Sequence, residues 1–205
     1  MSTKRKYDST LRLERAADTR LRIQRSAKKL LIENGFEGTT IAAIASDAEV
    51  SPQTIYSTFG SKAAIVAAMM THLEDEAGET ETVEALMAEP DPRGQLRIFT
   101  QWIARLFDLS SDLFVITQKS PDAPGLSQMK SQGDSRRLMG CTRLTEIWKD
   151  AGALRNDIDF ESAAEQLWLL SSVESFLNCT EGLGWSAEQF ENWLYWSAER
   201  LLFTD

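Results

Sequence analysis

Histidine is almost missing from this chain: His72 is the only one, and Cys141 and Cys179 are the only cysteines. The two thiols do not form a C-x-x-C spacing and no histidine cluster accompanies them, which removes the common zinc and thiol-redox sites and leaves both to be read as small buried hydrophobes. A glycine-rich phosphate loop and a G-x-S-x-G nucleophile elbow are missing too. The catalytic inventory is poor, so no enzyme, metal or cofactor is expected. No run reaches the ~18 uninterrupted apolar residues of a membrane span. Met1–Tyr7 is polar and basic with no apolar run behind it, so a cytoplasmic protein is expected. Alternation with period 2 never persists, and the fold class that remains is all-α.

Charge is abundant but unevenly placed. The net charge of −9 argues against nucleic acid until it is divided. Residues 1–72 carry 11 Lys/Arg against 7 Asp/Glu, a net of +4, which leaves −13 for the remainder. A basic N-terminal part on an acidic body directs phosphate attraction to one end and keeps DNA off the other.

The most informative stretch is Thr39–Lys62, which reads as two short helices joined by a tight turn. Thr39 and Thr40 supply N-cap hydroxyls, and Ile41, Ile44, Ala45 and Ala48 recur at helical spacing until Glu49. Ser51 followed by Pro52 restarts the pattern as an N-cap and first-turn proline, with Val50, Ile55 and Phe59 holding the second helix on the first. Ser61 caps a third. A helix over about Ser51–Phe59 is roughly 13 Å long, close to the ~12 Å width of the B-DNA major groove. Its outward residues Gln53, Thr54, Ser57 and Thr58 are short donors and acceptors, and Tyr56 has the reach to touch the DNA backbone.

Gly35-Phe36 closing a long first helix, Thr39-Thr40, Ile44-Ala45, Ala48-x-Val50-Ser51, Ile55-Tyr56, Phe59 and Ser61-Lys62 together resemble the tetracycline-repressor (TetR) family. The likeness covers about Arg20–Leu73. It implies a three-helix helix-turn-helix DNA-binding domain (residues 1–73) and a helical ligand-binding and dimerisation domain (74–205). DNA contacts are then expected from Thr39, Thr40, Ser51, Pro52, Gln53, Thr54, Tyr56, Ser57, Thr58 and Lys62, the last pairing with a phosphate at a helix N-terminus. The helix it opens, about Ser61–Glu76, becomes the lever between the two domains. One position departs: where the family usually has glycine in the turn, this chain has Glu49, which must hold φ < 0 or accept strain, and which brings a negative charge near phosphates.

The rest of the chain is read in the same way. Lys4, Arg5 and Lys6 sit in a flexible arm that is either a solvated tail or a phosphate contact. A helix over Thr10–Asn34 carries the stripe Leu13, Ala16, Ala17, Ile23, Ala27, Leu30 and Leu31, with arginines and lysines on its other faces. His72 is expected to pair with Glu76. Further helices follow at about Thr80–Ala88, through Leu96–Phe107, over Leu126–Asp150 with Leu138, Leu144, Ile147 and Trp148 on one face, and over Ser186–Phe203. Leu113–Ile116 reads as a separate buried segment, and Ser120–Gly125 as a loop.

Between Asp159 and Leu183 apolar residues occupy every side of one continuous helical pattern, so a second subunit is expected to supply cover. Leu167, Leu170, Ser171, Glu174, Phe190, Trp193, Leu194 and Leu201 are the interface candidates. Glu174 lies inside that apolar run and needs a partner, either across the dimer or on a ligand. Trp102, Phe107, Phe114, Met129, Trp148 and Trp168 are core residues or, with Glu174, the lining of a pocket. The expected protein is a homodimeric regulator, a repressor by resemblance, binding a palindromic double-stranded operator and released when a small-molecule effector shifts the lever helix. The alternative is a helix-turn-helix regulator without an effector, constitutive or controlled by a protein partner.

Overall fold

The computed structural model describes residues 3–123 and 125–204, with side chains from Arg12 onward. The described elements are α1 (Thr3–Gly38), α2 (Ile41–Asp47), α3 (Pro52–Phe59), α4 (Lys62–Glu76), α5 (Glu79–Ala88), α6 (Pro92–Gln118), α7 (Leu126–Asp150), α8 (Phe160–Leu170), α9 (Val173–Leu177), a π-helical turn at Asn178–Gly182, and α10 (Ala187–Leu202). The fold is all-α; the one β-type contact among the described residues is an isolated bridge between Leu154 and Phe203. No helix of the described residues is long and apolar enough to cross a membrane. The chain forms two compact units, one of residues up to Thr71 with Asp112–Met129, the other of His72–Ser111 with the residues from Lys130 on.

In the first unit, α1 begins at Thr3, so the expected flexible arm is helical there; the side chains of Lys4, Arg5 and Lys6 lie outside the described ones. The helix is broken at Gly35, whose φ of 71° belongs to the left-handed region that glycine enters without cost. Only the second half of the expected stripe reaches the core. Ile23, Ala27 and Leu31 are fully buried, whereas Leu13 is 72% exposed and Ala16 and Ala17 are exposed. Length explains the difference: at ~1.5 Å per residue, α2 and α3 are too short to cover more than a fraction of α1.

Pro92 opens α6, and the helix runs without interruption through Leu113–Ile116, which belong to the first unit. The separate segment expected there is the last part of α6, with Leu113 and Ile116 buried on the same helix as Leu96, Phe99, Ile103 and Phe107. On α7, Leu144 and Trp148 are buried as expected, but Leu138 is exposed. The expected continuous helix over 159–183 is broken. Ser171 caps α8, Ser172 starts α9 by accepting from the Ser175 amide, and the π-helical turn follows. Arg137 on α7 holds the break open, its guanidinium donating to the carbonyl oxygens of Trp168 and Ser171, the latter at 3.1 Å, and stacking 4.7 Å from the Trp168 ring centroid. Helix-end carbonyls need such a donor.

A buried amide organises the other side of the second unit. Gln95 donates to the carbonyls of Leu86 (3.2 Å) and Glu89 (2.8 Å), which closes the end of α5, and accepts from the indole N–H of Trp148 at 2.8 Å. Every polar atom of that side chain is therefore engaged, although the residue is only 6% exposed. Removing the indole donor leaves the Gln95 carbonyl oxygen buried and unpaired, at a cost of roughly 1–3 kcal/mol. Trp148→Phe is expected to lower the unfolding free energy by about 2–3 kcal/mol once the lost volume is added, at unchanged m-value in urea, while Met139→Leu on the exposed face of α7 changes it by less than about 0.5 kcal/mol.

Candidate nucleic-acid interface

The pair α2–α3 is built by its ends. Thr40 caps α2, its hydroxyl accepting from the Ala43 amide at 3.1 Å. Ser51 caps α3 by accepting from the Thr54 amide at 3.0 Å, with Pro52 in the first turn. Between them the Val50 amide reaches back to the Ala45 carbonyl (2.9 Å) and the Glu49 amide to that of Ser46 (3.3 Å). These are the paired bonds of a Schellman ending, which demand a left-handed residue after the cap. Glu49 takes that place with a φ of 53°, the one positive φ among described non-glycine residues. Of the two outcomes open to a glutamate here, the turn takes the strained one.

Four side chains then fix the helices. The Thr39 hydroxyl lies 2.8 Å from the Gly35 carbonyl and 3.0 Å from that of Leu30. Arg20 donates to the Thr58 carbonyl at 3.1 Å and lies 4.5 Å from the Phe59 ring centroid. Lys29 pairs with Asp47 at 2.7 Å, and the hydrogen bonds from Lys29 and Ser26 hold the Asp47 carboxyl below the usual carboxylate range. Lys62 donates to the carbonyls of Phe36 and Thr39.

These contacts sort the expected DNA residues. Thr39 is buried and committed to α1. Lys62 is half-buried and faces carbonyls, and burial pushes its pKa below the ordinary lysine value. Thr40 and Ser51 are exposed but serve as caps. On α3 the Ser57 and Thr58 hydroxyls both donate to the Thr54 carbonyl, at 3.0 and 2.6 Å, and the Thr54 hydroxyl shares a hydrogen with Ser51 at 2.8 Å. Pro52, Gln53 and Tyr56 are exposed on the same helix, Tyr56 by 52%. Gln53 and Tyr56 keep their donors unspent among the described residues. Phosphate oxygens only accept, so these two side chains are the ones equipped to bind them or to read base edges.

The body residues sort equally. Trp148 is taken by Gln95, and Phe107 packs edge-on against Phe176 with centroids 5.6 Å apart. Trp168 is covered by Arg137 and donates to the Asp134 carbonyl at 3.2 Å. Phe114 and Met129 are half-buried in the first unit. Glu174 meets Lys130 of its own chain at 2.6 Å; burial works against its ionisation, but the hydrogen bond and charge of Lys130 prevail and keep its pKa low. Trp102 differs: its indole N–H is buried with no partner, as is the Ser110 hydroxyl, which the sequence did not single out. Of the interface candidates, Leu167, Ser171, Phe190 and Leu194 are buried within the second unit, Leu170 and Trp193 are half-buried, and Glu174 and Leu201 are exposed. Trp196, not a candidate, is exposed beside Leu201 along an open groove of α10 with Trp193 and Arg200.

Residues 23–69 match the profile of the bacterial regulatory proteins, tetR family. The match takes in the end of α1, α2, α3 and the first half of α4, so that this segment has the sequence pattern of the TetR-family DNA-binding region. Solved structures with the same fold include a TetR-family protein from Syntrophomonas wolfei, 17% identical over 89% of this chain and 94% of its own, with a TM-score of 0.76. NalD of Pseudomonas aeruginosa, the secondary repressor of the MexAB-OprM multidrug efflux pump, is 18% identical over 94% and 99%, also with a TM-score of 0.76. A transcriptional-regulator structure from Saccharomonospora viridis, in complex with choline, is 20% identical over 92% and 100%, with a TM-score of 0.71. None of the curated proteins matches the sequence. The fold is that of TetR-family transcriptional regulators.

Glycine at position 49 removes the strain that a side chain pays for a left-handed conformation. Glu49→Gly is expected to raise the unfolding free energy by about 0.5–1 kcal/mol in urea, net of glycine's own entropy cost. Glu49→Ala, which keeps a Cβ at the same φ, gains nothing.

Proposed function

We propose that the chain is a transcriptional repressor that binds a palindromic duplex as a homodimer, through α3 of each protomer, and is released by a small-molecule effector held in the second unit. The observation that carries this reading is the α3 surface, where Gln53 and Tyr56 stand exposed with unspent donors on a helix capped and braced at both ends. Its length suits the major groove, and the net charge of +4 over residues 1–72 attracts phosphate. Arg12 and Arg15 are exposed on α1 and add to that field, and Lys4, Arg5 and Lys6 extend it in sequence.

Dimerisation is supported by the exposed apolar side chains of α8 and α10, which pack together and leave Leu169, Trp196 and Leu201 uncovered, with Leu170 and Trp193 half-buried. A two-fold interface buries the same patch on both copies. An effector is supported by the buried, unpartnered indole N–H of Trp102 and hydroxyl of Ser110, each of which an acceptor atom of a bound molecule would satisfy. The choline held by the Saccharomonospora viridis protein and the acidic second unit favour a cationic effector.

Selection from a random duplex pool by the wild-type protein is expected to enrich a palindrome. Tyr56→Ala and Gln53→Ala each weaken its binding by about ten-fold or more in fluorescence anisotropy, and affinity falls steeply with salt. A pool that enriches no sequence contradicts the reading. Trp196→Glu, which places a charge in the apolar groove of α10, is expected to convert a dimer to monomers in sedimentation velocity and to weaken palindrome binding in parallel; a dimer left intact puts the interface elsewhere. Choline titrated into the protein–duplex complex tests release.

A further inference from the structure

Lys62 opens α4 at the place where resemblance puts a phosphate contact, yet its ammonium turns back into the first unit. It donates to the carbonyl of Phe36 and, at 2.6 Å, to that of Thr39, and lies 4.2 Å from the centroid of the buried Phe36 ring. An ammonium has three N–H donors. Two are spent here and the aromatic face takes part of the remaining charge.

The two carbonyls belong to the connection between α1 and α2. Phe36 follows the left-handed Gly35, and Thr39 precedes Thr40, the cap of α2. The same connection is tied to α1 by the Thr39 hydroxyl. Next to Lys62, Ala63 is buried, and Gly125 of the α6–α7 connection comes so near that a Cβ there would stand 2.8 Å from the Ala63 Cβ. The first turn of α4 is thus held between two connections of the same unit.

We infer that Lys62 is a positioning residue and not a phosphate contact. It fixes the start of α4 to the α1–α2 connection and thereby sets the pose in which α2 and α3 meet a duplex. A displacement at Gly125 then reaches the start of α2 through Ala63 and one charged side chain. The inference rests on the DNA-binding reading for its consequence, while the brace itself exists without DNA.

The test uses Lys62→Met, which keeps the aliphatic stem and removes the donors. In the free full-length protein, amide hydrogen exchange over Thr39–Ala45 is expected to speed up by about ten-fold, with exchange in α10 unchanged. Unchanged exchange at Thr39–Ala45 overturns the brace. With the selected palindrome and an unrelated duplex across a salt series, palindrome affinity is expected to fall about ten-fold while affinity for the unrelated duplex and the slope of log K against log salt stay as in the wild type. A parallel loss on both duplexes, with the slope reduced by about one, identifies a phosphate contact and overturns the inference. If the wild-type protein binds no duplex, the DNA-binding reading fails, and the exchange result still decides the brace.

Discussion

A left-handed residue between α2 and α3 is the constraint on which the first unit depends. The chain must reverse direction within Ala48–Ser51, and the paired bonds from the Glu49 and Val50 amides to Ser46 and Ala45 allow this only if position 49 has positive φ. Glycine meets that demand without strain. Glutamate meets it because its neighbours overdetermine the turn: Ile44, Ala45, Ala48 and Ile55 are buried on either side, and both flanking helices are capped. Strain of about 1 kcal/mol is small beside the burial of four apolar side chains. It leaves a carboxylate exposed on a unit that otherwise gathers positive charge.

Several helix ends are satisfied by side chains delivered from distant parts of the chain. Arg20, Thr39 and Lys62 end on carbonyls at or near helix ends in the first unit, and Gln95 and Arg137 do the same in the second. Short helices have many unsatisfied ends for their length, so a fold made of them needs donors delivered from elsewhere in the chain. Part of the basic character of α1 is spent in this way. Arg20 and Lys29 hold α3 and α2, which leaves Arg12 and Arg15 among the exposed cations.

What could be read in advance was local. The caps at Thr40, Ser51 and Ser61, the first-turn proline at 52, and the extent of α7 follow from residues within one turn of each boundary. The conflict at Glu49 was legible too, though not which way it resolves. What stayed hidden depends on distant partners. Nothing near Ser171 marks a break, because Leu167–Leu177 keeps helical spacing throughout; the donor that satisfies the broken end is Arg137, 34 residues upstream of Ser171. Lys62 reads locally as a free cation at a helix start, and its acceptors lie 26 and 23 residues earlier. The exposure of Leu13, Ala16 and Ala17 follows from the shortness of α2 and α3, which periodicity within α1 cannot register. Glu174 needs a partner, as its place in an apolar run implies, but the partner is Lys130 of the same chain, 44 residues upstream.

Hydroxyl-radical footprinting of the selected duplex tests the central claim most directly, since it reports where and how many times a helix enters the groove. Two copies of α3 on a two-fold axis predict two protected patches on one face of the duplex, centred about one helical turn apart and exchanged by the palindrome's own symmetry. A single patch, or even protection along the whole duplex, contradicts the account.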